Sequence, residues 1–344
     1  MTRGEVFADQ MAGRAATALA GTLGLSKIFA IGNVPFEVSA PPEDSVRWLG
    51  RALIQASGTI ETIEEPVHRM FAWDGSDPQS FPPNRPWGPA DHEPLGVVAE
   101  YSNDNVRCAL DIHTGALIVF DYRRNASFTW VPDIAEMPAW AKASPFRIAL
   151  SWLLNRHGVQ MVHGAAVSIG TDGVLLAGPG GAGKSTTALA CALSGMGYLG
   201  DDYCAVDPFD GSVHAVYRTA KVLPRTLQML PRLAPMLVNA DRIEEEKGVV
   251  FFDDESEISV QASAQLRAIL VPRISGEAAT SVSPASHGEV MRALLPSTIG
   301  GTMGGTPVTA RLLLKLVQSL PGYVLNVGTD LNGVVDVVAA TIRM

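Results

Sequence analysis

The densest grouping of chemistry-bearing residues is Gly178-Pro179-Gly180-Gly181-Ala182-Gly183-Lys184-Ser185-Thr186, preceded by the apolar run Val174-Leu175-Leu176-Ala177. It matches G-x-x-x-x-G-K-[ST] in the order strand, loop, helix that the pattern requires. Glycines let backbone N–H groups converge on phosphate oxygens without a Cβ clash, and a helix N-terminus directs partial positive charge at the same anion. Gly178, Gly180, Gly181, Ala182 and Gly183 would form that cradle, and Thr186 closes the motif. Lys184 would reach the β- and γ-phosphates, and the Ser185 hydroxyl would ligate Mg²⁺. The competing reading, an ordinary glycine-rich turn, is disfavoured by the length of the match and by its flanks.

A short helix ending at Gly195 and the apolar Met196–Leu199 lead from the loop to Gly200-Asp201-Asp202. Two carboxylates beside a phosphate site permit a division of labour, one holding Mg²⁺ and the other accepting a proton from a hydroxyl nucleophile. Without the loop, the same acids would read as an exposed turn. Adjacent residues on a strand point to opposite faces, so both serve only if a turn or bulge follows Gly200. The expectation is Asp201 as base, near His163, and Asp202 nearer the metal with Ser185. His163 lies in VQMVHGAAVSIG, between two short strands, where Gly164 permits a bulge or close approach. A lone histidine in such a place is ordinarily structural.

The elements that must carry these residues begin after Pro138–Pro145, where the reading sets a boundary between residues 1–140 and 141–344. A helix is expected over Ser144–His157 with Gly158 ending it. Leu266–Ile274 reads as a buried strand whose Arg273 points to the site or caps it. STIGGTMGGTPVT, Ser297–Thr309, reads equally as a lid or as a connector into a helix Ala310–Ser319. The acidic runs Glu244-Glu245-Glu246 and Asp253-Asp254-Glu255 suit solvated surface better than a basic-peptide contact.

The first domain is expected to be α+β. Val6, Phe7, Met11, Ala15 and Leu19 have helical spacing and form an amphipathic helix rather than an export signal. KIFAIGNVPFEVSA reads as strand and Ser45–Ala56 as helix. Residues 71–95, with six prolines between Pro78 and Pro94, read as an irregular loop. GVVAEY, VRCALDI and ALIVFDY read as an antiparallel meander.

Composition narrows the function. Hydrophobic residues are 47% and charged residues 18%, so a sizeable core is available and global disorder is excluded. The 26 basic and 35 acidic residues leave a net charge of −9, which disfavours a general grip on nucleic acid or anionic lipid. No apolar run is long enough for a membrane span. Cys108, Cys191 and Cys204 are odd in number and lack CxxC spacing, which disfavours a disulfide scaffold or cysteine-rich zinc site and fits a cytoplasmic protein.

Taken together, MVHGAAVSIGTDGVLLAGPGGAGKSTTALACALSGMGYLGDDYCAV resembles the C-terminal kinase domain of HPr kinase/phosphorylase, related in fold to ATP-dependent phosphoenolpyruvate carboxykinase. The resemblance implies an α/β kinase domain with a mixed sheet and an ATP- and Mg²⁺-dependent transfer to a serine hydroxyl of a peptide or protein. On it, Lys184 and Ser185 handle ATP and metal, Asp201 and Asp202 share the base and metal roles, and His163 supports the base. It also implies a downstream arginine that meets transition-state charge; Arg218 in VYRTAKVLPRT is the first candidate, with Lys221 and Arg225 as rivals. Thr186 departs from the glutamate usual in that family, and its Glu-Ile-Arg-Gly-Leu-Gly signature is missing. The chain therefore looks like the divergent relatives that include kinases of lasso peptide biosynthesis, which act on a precursor-peptide serine. A homo-oligomer stays open, as do two other functions: a small-molecule hydroxyl kinase and a non-catalytic ATP-binding regulator.

Overall fold

The computed structural model describes residues 1–20, 25–40, 49–53, 67–75, 78–84, 96–302 and 307–344. The chain is mixed α/β and forms two compact units, Met1–Gly50 with Gln55–Leu153, and Arg51–Ile54 with Leu154–Met344. The division falls inside the helix Arg147–Arg156 rather than before it at 140/141. Contacts of the first half of that helix explain the displacement. Arg147 pairs with Asp111 at 3.2 Å, and Trp152 packs under Arg107 at 4.5 Å and edge-on to Phe120.

In the first unit, helix α1 (Arg3–Leu19) starts at a capping box in which Thr2 Oγ1 accepts from Glu5 N and the Glu5 carboxylate accepts from Thr2 N. The strands are β1 (Leu25–Ile31), β2 (Val34–Ala40), β3 (His68–Asp74), β4 (Val106–Asp111), β5 (Ala116–Asp121) and β6 (Ala126–Val131). Their order is β1-β2-β3-β6-β5-β4, with β3 parallel to β2 and β6 and the other ladders antiparallel. Phe7, Met11 and Ala15 of α1 bury against Trp73, Val106, Leu117, Val119 and Phe128 of the sheet.

The meander is β4-β5-β6, not the three segments read from sequence. Gly96–Tyr101 contributes one bridge, Val97 to Ala109, and a 3₁₀ turn Ala99–Tyr101. There Ser102 Oγ donates to Val98 O and accepts from Cys108 N, so a side chain takes over ladder positions. Residues 71–74 of the proline-rich stretch complete β3, Pro78–Ser80 form a 3₁₀ turn, and 76–77 and 85–95 lie outside the described residues. Of the expected helix at 45–56, residues 49–52 are helical and most of the rest lies outside the described residues.

Helices α2 (Ala139–Lys142) and α3 (Arg147–Arg156) lead to the second unit, where Gly158 at φ +79° ends α3 as expected. Then follow β7 (Gln160–Val162), β8 (Gly164–Ile169), β9 (Asp172–Ala177), α4 (Lys184–Leu193), β10 (Gly197–Gly200), β11 (Cys204–Val206), β12 (Ser212–Ala215), β13 (Thr219–Val222) and α5 (Pro224–Met229). The chain closes with β14 (Gly248–Phe251), β15 (Ser263–Ile274), β16 (Ser281–Ala285), α6 (His287–Thr302), α7 (Pro307–Ser319), β17 (Gly322–Val327) and α8 (Leu331–Ile342). A mixed nine-stranded sheet runs β10-β8-β9-β15-β12-β11-β7, with β17 also beside β15 and β16 beyond it. β15 is parallel to β9 and β17, and its other partner is antiparallel.

Alternation along the central strands places helices on both faces. Ala166, Leu175 and Ile269 face Leu294 of α6 and Leu313 and Leu316 of α7. Ala165, Val167, Val174, Leu176 and Leu270 face Ala188 and Cys191 of α4 and Val334 and Val338 of α8. A separate ribbon, β13 with β14, packs Ala220, Val222 and Val250 on Leu189 and Ala192 of α4. Ser297–Thr302 of the glycine-rich stretch belongs to α6, 303–306 lies outside the described residues, and α7 begins at Pro307. Among the described residues, no helix is long and apolar enough to cross a membrane.

Candidate functional site

The loop Gly178–Gly183 joins the carboxyl end of β9 to the first turn of α4, where ligands of parallel-strand sheets characteristically bind. Gly181 and Gly183 take φ of +79° and +100°, a region that other residues enter at a cost. Among the described residues no side chain caps α4, which leaves its first N–H groups to meet an anion. Lys184, 6% exposed, lays its ammonium over the loop's own carbonyls, donating to Gly178 O at 2.7 Å and Pro179 O at 3.2 Å. Burial pushes this ammonium below its usual range, and the Lys247 charge adds to that; the two aspartates oppose it. Ser185 Oγ donates to Asp201 O at 3.4 Å, and Thr186 Oγ1 lies 3.0 Å from Thr226 Oγ1 on α5.

The bulge anticipated at Gly200 is present. The β10–β8 register shifts between Tyr198 and Gly200, and Gly200 has φ +150°, with a Cβ there falling 2.8 Å from Tyr203 O. The break turns the two aspartates to different partners. Asp201, 3% exposed, accepts from Lys221 N at 3.2 Å through Oδ2, and its Oδ1 lies 3.1 Å from the Tyr198 hydroxyl. Burial, then the neighbouring Asp202 charge, raise its carboxyl to about 6. The Tyr198 hydroxyl has one proton and a shorter contact, 2.7 Å, to Thr219 O. With that proton on Thr219 O, the bond to Asp201 needs a proton from the carboxyl, in agreement with its raised affinity.

Asp202 is held differently. Its Oδ1 faces His163 Nε2 at 3.1 Å, and its Oδ2 accepts from Lys221 Nζ at 2.7 Å, with side chains 18% and 7% exposed for Asp202 and Lys221. Burial alone would raise this carboxyl, but Lys221 and His163 hold it well below the ordinary range. The site thus pairs an acid that holds its proton up to about pH 6 with one that is ionised well below the ordinary range.

Two expectations change. His163 sits on Asp202 rather than Asp201, because the Gly200 bulge turns Asp201 back toward Tyr198 and β13. Arg218 is not brought to the aspartates: its guanidinium bonds Asp254 at 2.5 Å, while Lys221, three positions on, reaches Asp202. Arg225 is exposed, and Arg273 pairs with Glu289 at 3.2 Å. Tyr198 and Thr226 went unnoticed in the sequence; a hydroxyl inside the short apolar run MGYLG was the available signal for the first. Thr298 is also new to the site, its Oγ1 accepting from His163 N at 3.2 Å and so fixing the histidine's strand. Among the described residues His163 Nδ1 is buried without a hydrogen-bond partner, so the ring's hydrogen bond is made through Nε2 while its face packs on Tyr203.

No family model matches this chain, and no curated protein is significantly similar to it.

Proposed function

We propose that the second unit is an ATP- and Mg²⁺-dependent kinase that transfers the γ-phosphoryl group to a serine hydroxyl of a peptide or protein, in keeping with the resemblance to HPr-kinase-related enzymes. The observation that carries the reading is the convergence of Lys184, Ser185 and the Asp201–Asp202 pair at one strand–loop–helix junction. A regulator that only senses ATP needs no ionised carboxylate braced by two cationic or potentially cationic groups.

On this reading the glycine-rich loop receives the β- and γ-phosphates, and Lys184 leaves its carbonyl contacts to meet them. Ser185 and the adjoining Asp201 offer hard oxygen donors suited to Mg²⁺, which is ordinarily held by one or two carboxylates together with substrate phosphates. Among the described residues no three His, Cys, Asp or Glu side chains converge on a metal position. Bound there, Mg²⁺ would neutralise charge on the transferring phosphoryl.

Asp202 takes the base role, reversing the order expected from sequence. Its carboxylate is ionised and anchored by Lys221 and His163, so it can orient the serine hydroxyl and receive its proton as the oxygen bonds to phosphorus and the bond to ADP breaks. A carboxylate held this low is a weak base, which suits a loose transition state in which positioning outweighs deprotonation.

The test is transfer of label from ATP to serine-containing peptides in the presence of Mg²⁺, with Lys184→Ala as control. The expected product is phosphoserine, lost in the variant while the circular dichroism spectrum stays native. Acid-labile, base-stable label, or full transfer by Lys184→Ala, contradicts the proposal.

A further inference from the structure

Strand directions in the nine-stranded sheet bring four carboxyl ends together. β10 and β9 both run antiparallel to β8, so they are parallel to each other, and β15 is parallel to β9 and β17. β10, β9, β15 and β17 therefore finish at one end of the sheet, where ligands of such sheets bind. Across that end, the order is Gly200 with the aspartates, β8, the glycine-rich loop after Ala177, Ile274 and Val327. The acids lie on one side of the loop, and β15 and β17 on the other.

On this second side the sheet overhangs. β15 leaves its ladder with β9 at Leu270, opposite Leu176, but stays paired with β17 over 271–274, ending with Ile274 opposite Val327. The overhang runs alongside the loop. Strand alternation gives Ile274 the face of Leu270, which meets α4 and α8. Ile274 Cγ1 lies 4.0 Å from where a Cβ would stand on Gly183, the N-cap residue of α4. Leu266, Ile269, Leu270 and Val271 of the same strand are buried, whereas Ile274 is 56% exposed.

The backbone beyond Ile274 is pinned, so the wall is formed in advance. Ser275 N and Ser275 Oγ both donate to Val327 O at 3.0 Å. Thr329 N donates to Glu277 O and Gly328 N to Thr280 Oγ1, each at 2.9 Å. An aliphatic surface kept in water beside an anion-binding loop is relieved by covering it with an apolar ligand face. A nucleoside triphosphate whose terminal phosphate meets the acids must carry its nucleoside away from them, toward this wall.

We propose that Ile274 forms the wall of a nucleoside subsite, packing on the apolar face of the nucleoside while the loop holds the phosphates. The inference rests on the kinase reading above and extends its donor site to the side opposite the aspartates.

ATP and inorganic tripolyphosphate, each titrated calorimetrically with Mg²⁺ into the full chain, share the phosphates and differ in the nucleoside. Ile274→Ala should weaken ATP binding about fivefold, the scale of losing one to two buried methylene groups, and change tripolyphosphate binding less than twofold. Ile274→Leu should keep most of the ATP affinity. The residue is exposed, so the variants fold. If Ile274→Ala binds ATP as wild type does, or weakens both ligands equally, the nucleoside subsite is wrong and the kinase reading stands. If wild-type protein binds neither ligand, both fall.

Discussion

Replacing Asp201 by Asn should make the protein more stable while ending the phosphoryl transfer proposed above. The carboxyl's affinity for a proton is raised from the ordinary 3.8 to about 6 because folding buries it beside another acid. An acid raised in this way is neutral in both states below about pH 4 and costs nothing there. Between pH 4 and about 6 the unfolded chain ionises first, and above that range the folded protein bears the full cost. A shift of about two units corresponds to about 3 kcal/mol. With 3% exposure, solvent does little to reduce it. Asparagine reproduces the hydrogen bonds of the neutral acid: its oxygen accepts from Lys221 N, and its amide donates to the Tyr198 hydroxyl, which keeps Thr219 O. Urea unfolding of wild type and Asp201→Asn from pH 4 to 8, with hydrogen exchange of residues 197–206 reporting the second unit, measures the gap. It should be near zero at pH 4, open through pH 6 and saturate at about 3 kcal/mol in favour of the variant. Equal or lower stability of Asp201→Asn at pH 8 refutes the raised proton affinity of the buried carboxyl.

Lys221→Met should destabilise the protein by about 3 kcal/mol, because it strands the largely buried Asp202 charge, and adding Asp202→Asn should recover most of the loss in a double-mutant cycle. Gly200→Ala should cost roughly 1–3 kcal/mol, read as a lower melting temperature, since φ +150° and a Cβ 2.8 Å from Tyr203 O both penalise alanine. On the proposed function, the same variant should also lose phosphoryl transfer, because the bulge aims both aspartates.

The loop and its two flanking elements were legible because three constraints coincide over a short stretch: apolar strand period, glycines at positive φ, and a helix with no side-chain cap. The aspartate pair was legible for a similar reason, since Gly200 is where the register must break. Unit 1 was less so. Ser102 replaces ladder bonds with side-chain bonds, and nothing in GVVAEYS distinguishes that from a strand. The domain boundary was missed because tertiary contacts, Arg147 to Asp111 and Trp152 to Phe120, decide where half a helix belongs.

The exchange of Arg218 for Lys221 has a more specific cause. Both lie in YRTAKVL, and only the edge that β13 (Thr219–Val222) presents decides between them. Tyr198 donates to Thr219 O, and Asp201 accepts from Lys221 N, so that backbone edge faces the acids. Residues 219 and 221 share one side-chain face of an extended strand, whereas 218 and 220 take the other. Ala220 accordingly buries against α4, and Arg218 reaches Asp254. Lys221 is left on the face that meets Asp202. The parity was present in the sequence, but the edge is set by a bond from Tyr198, which lies far along the chain and has no local signature. The placement of the cation beside the acids is therefore a property of the β10–β13 contact, and charge alone could not rank the three basic candidates.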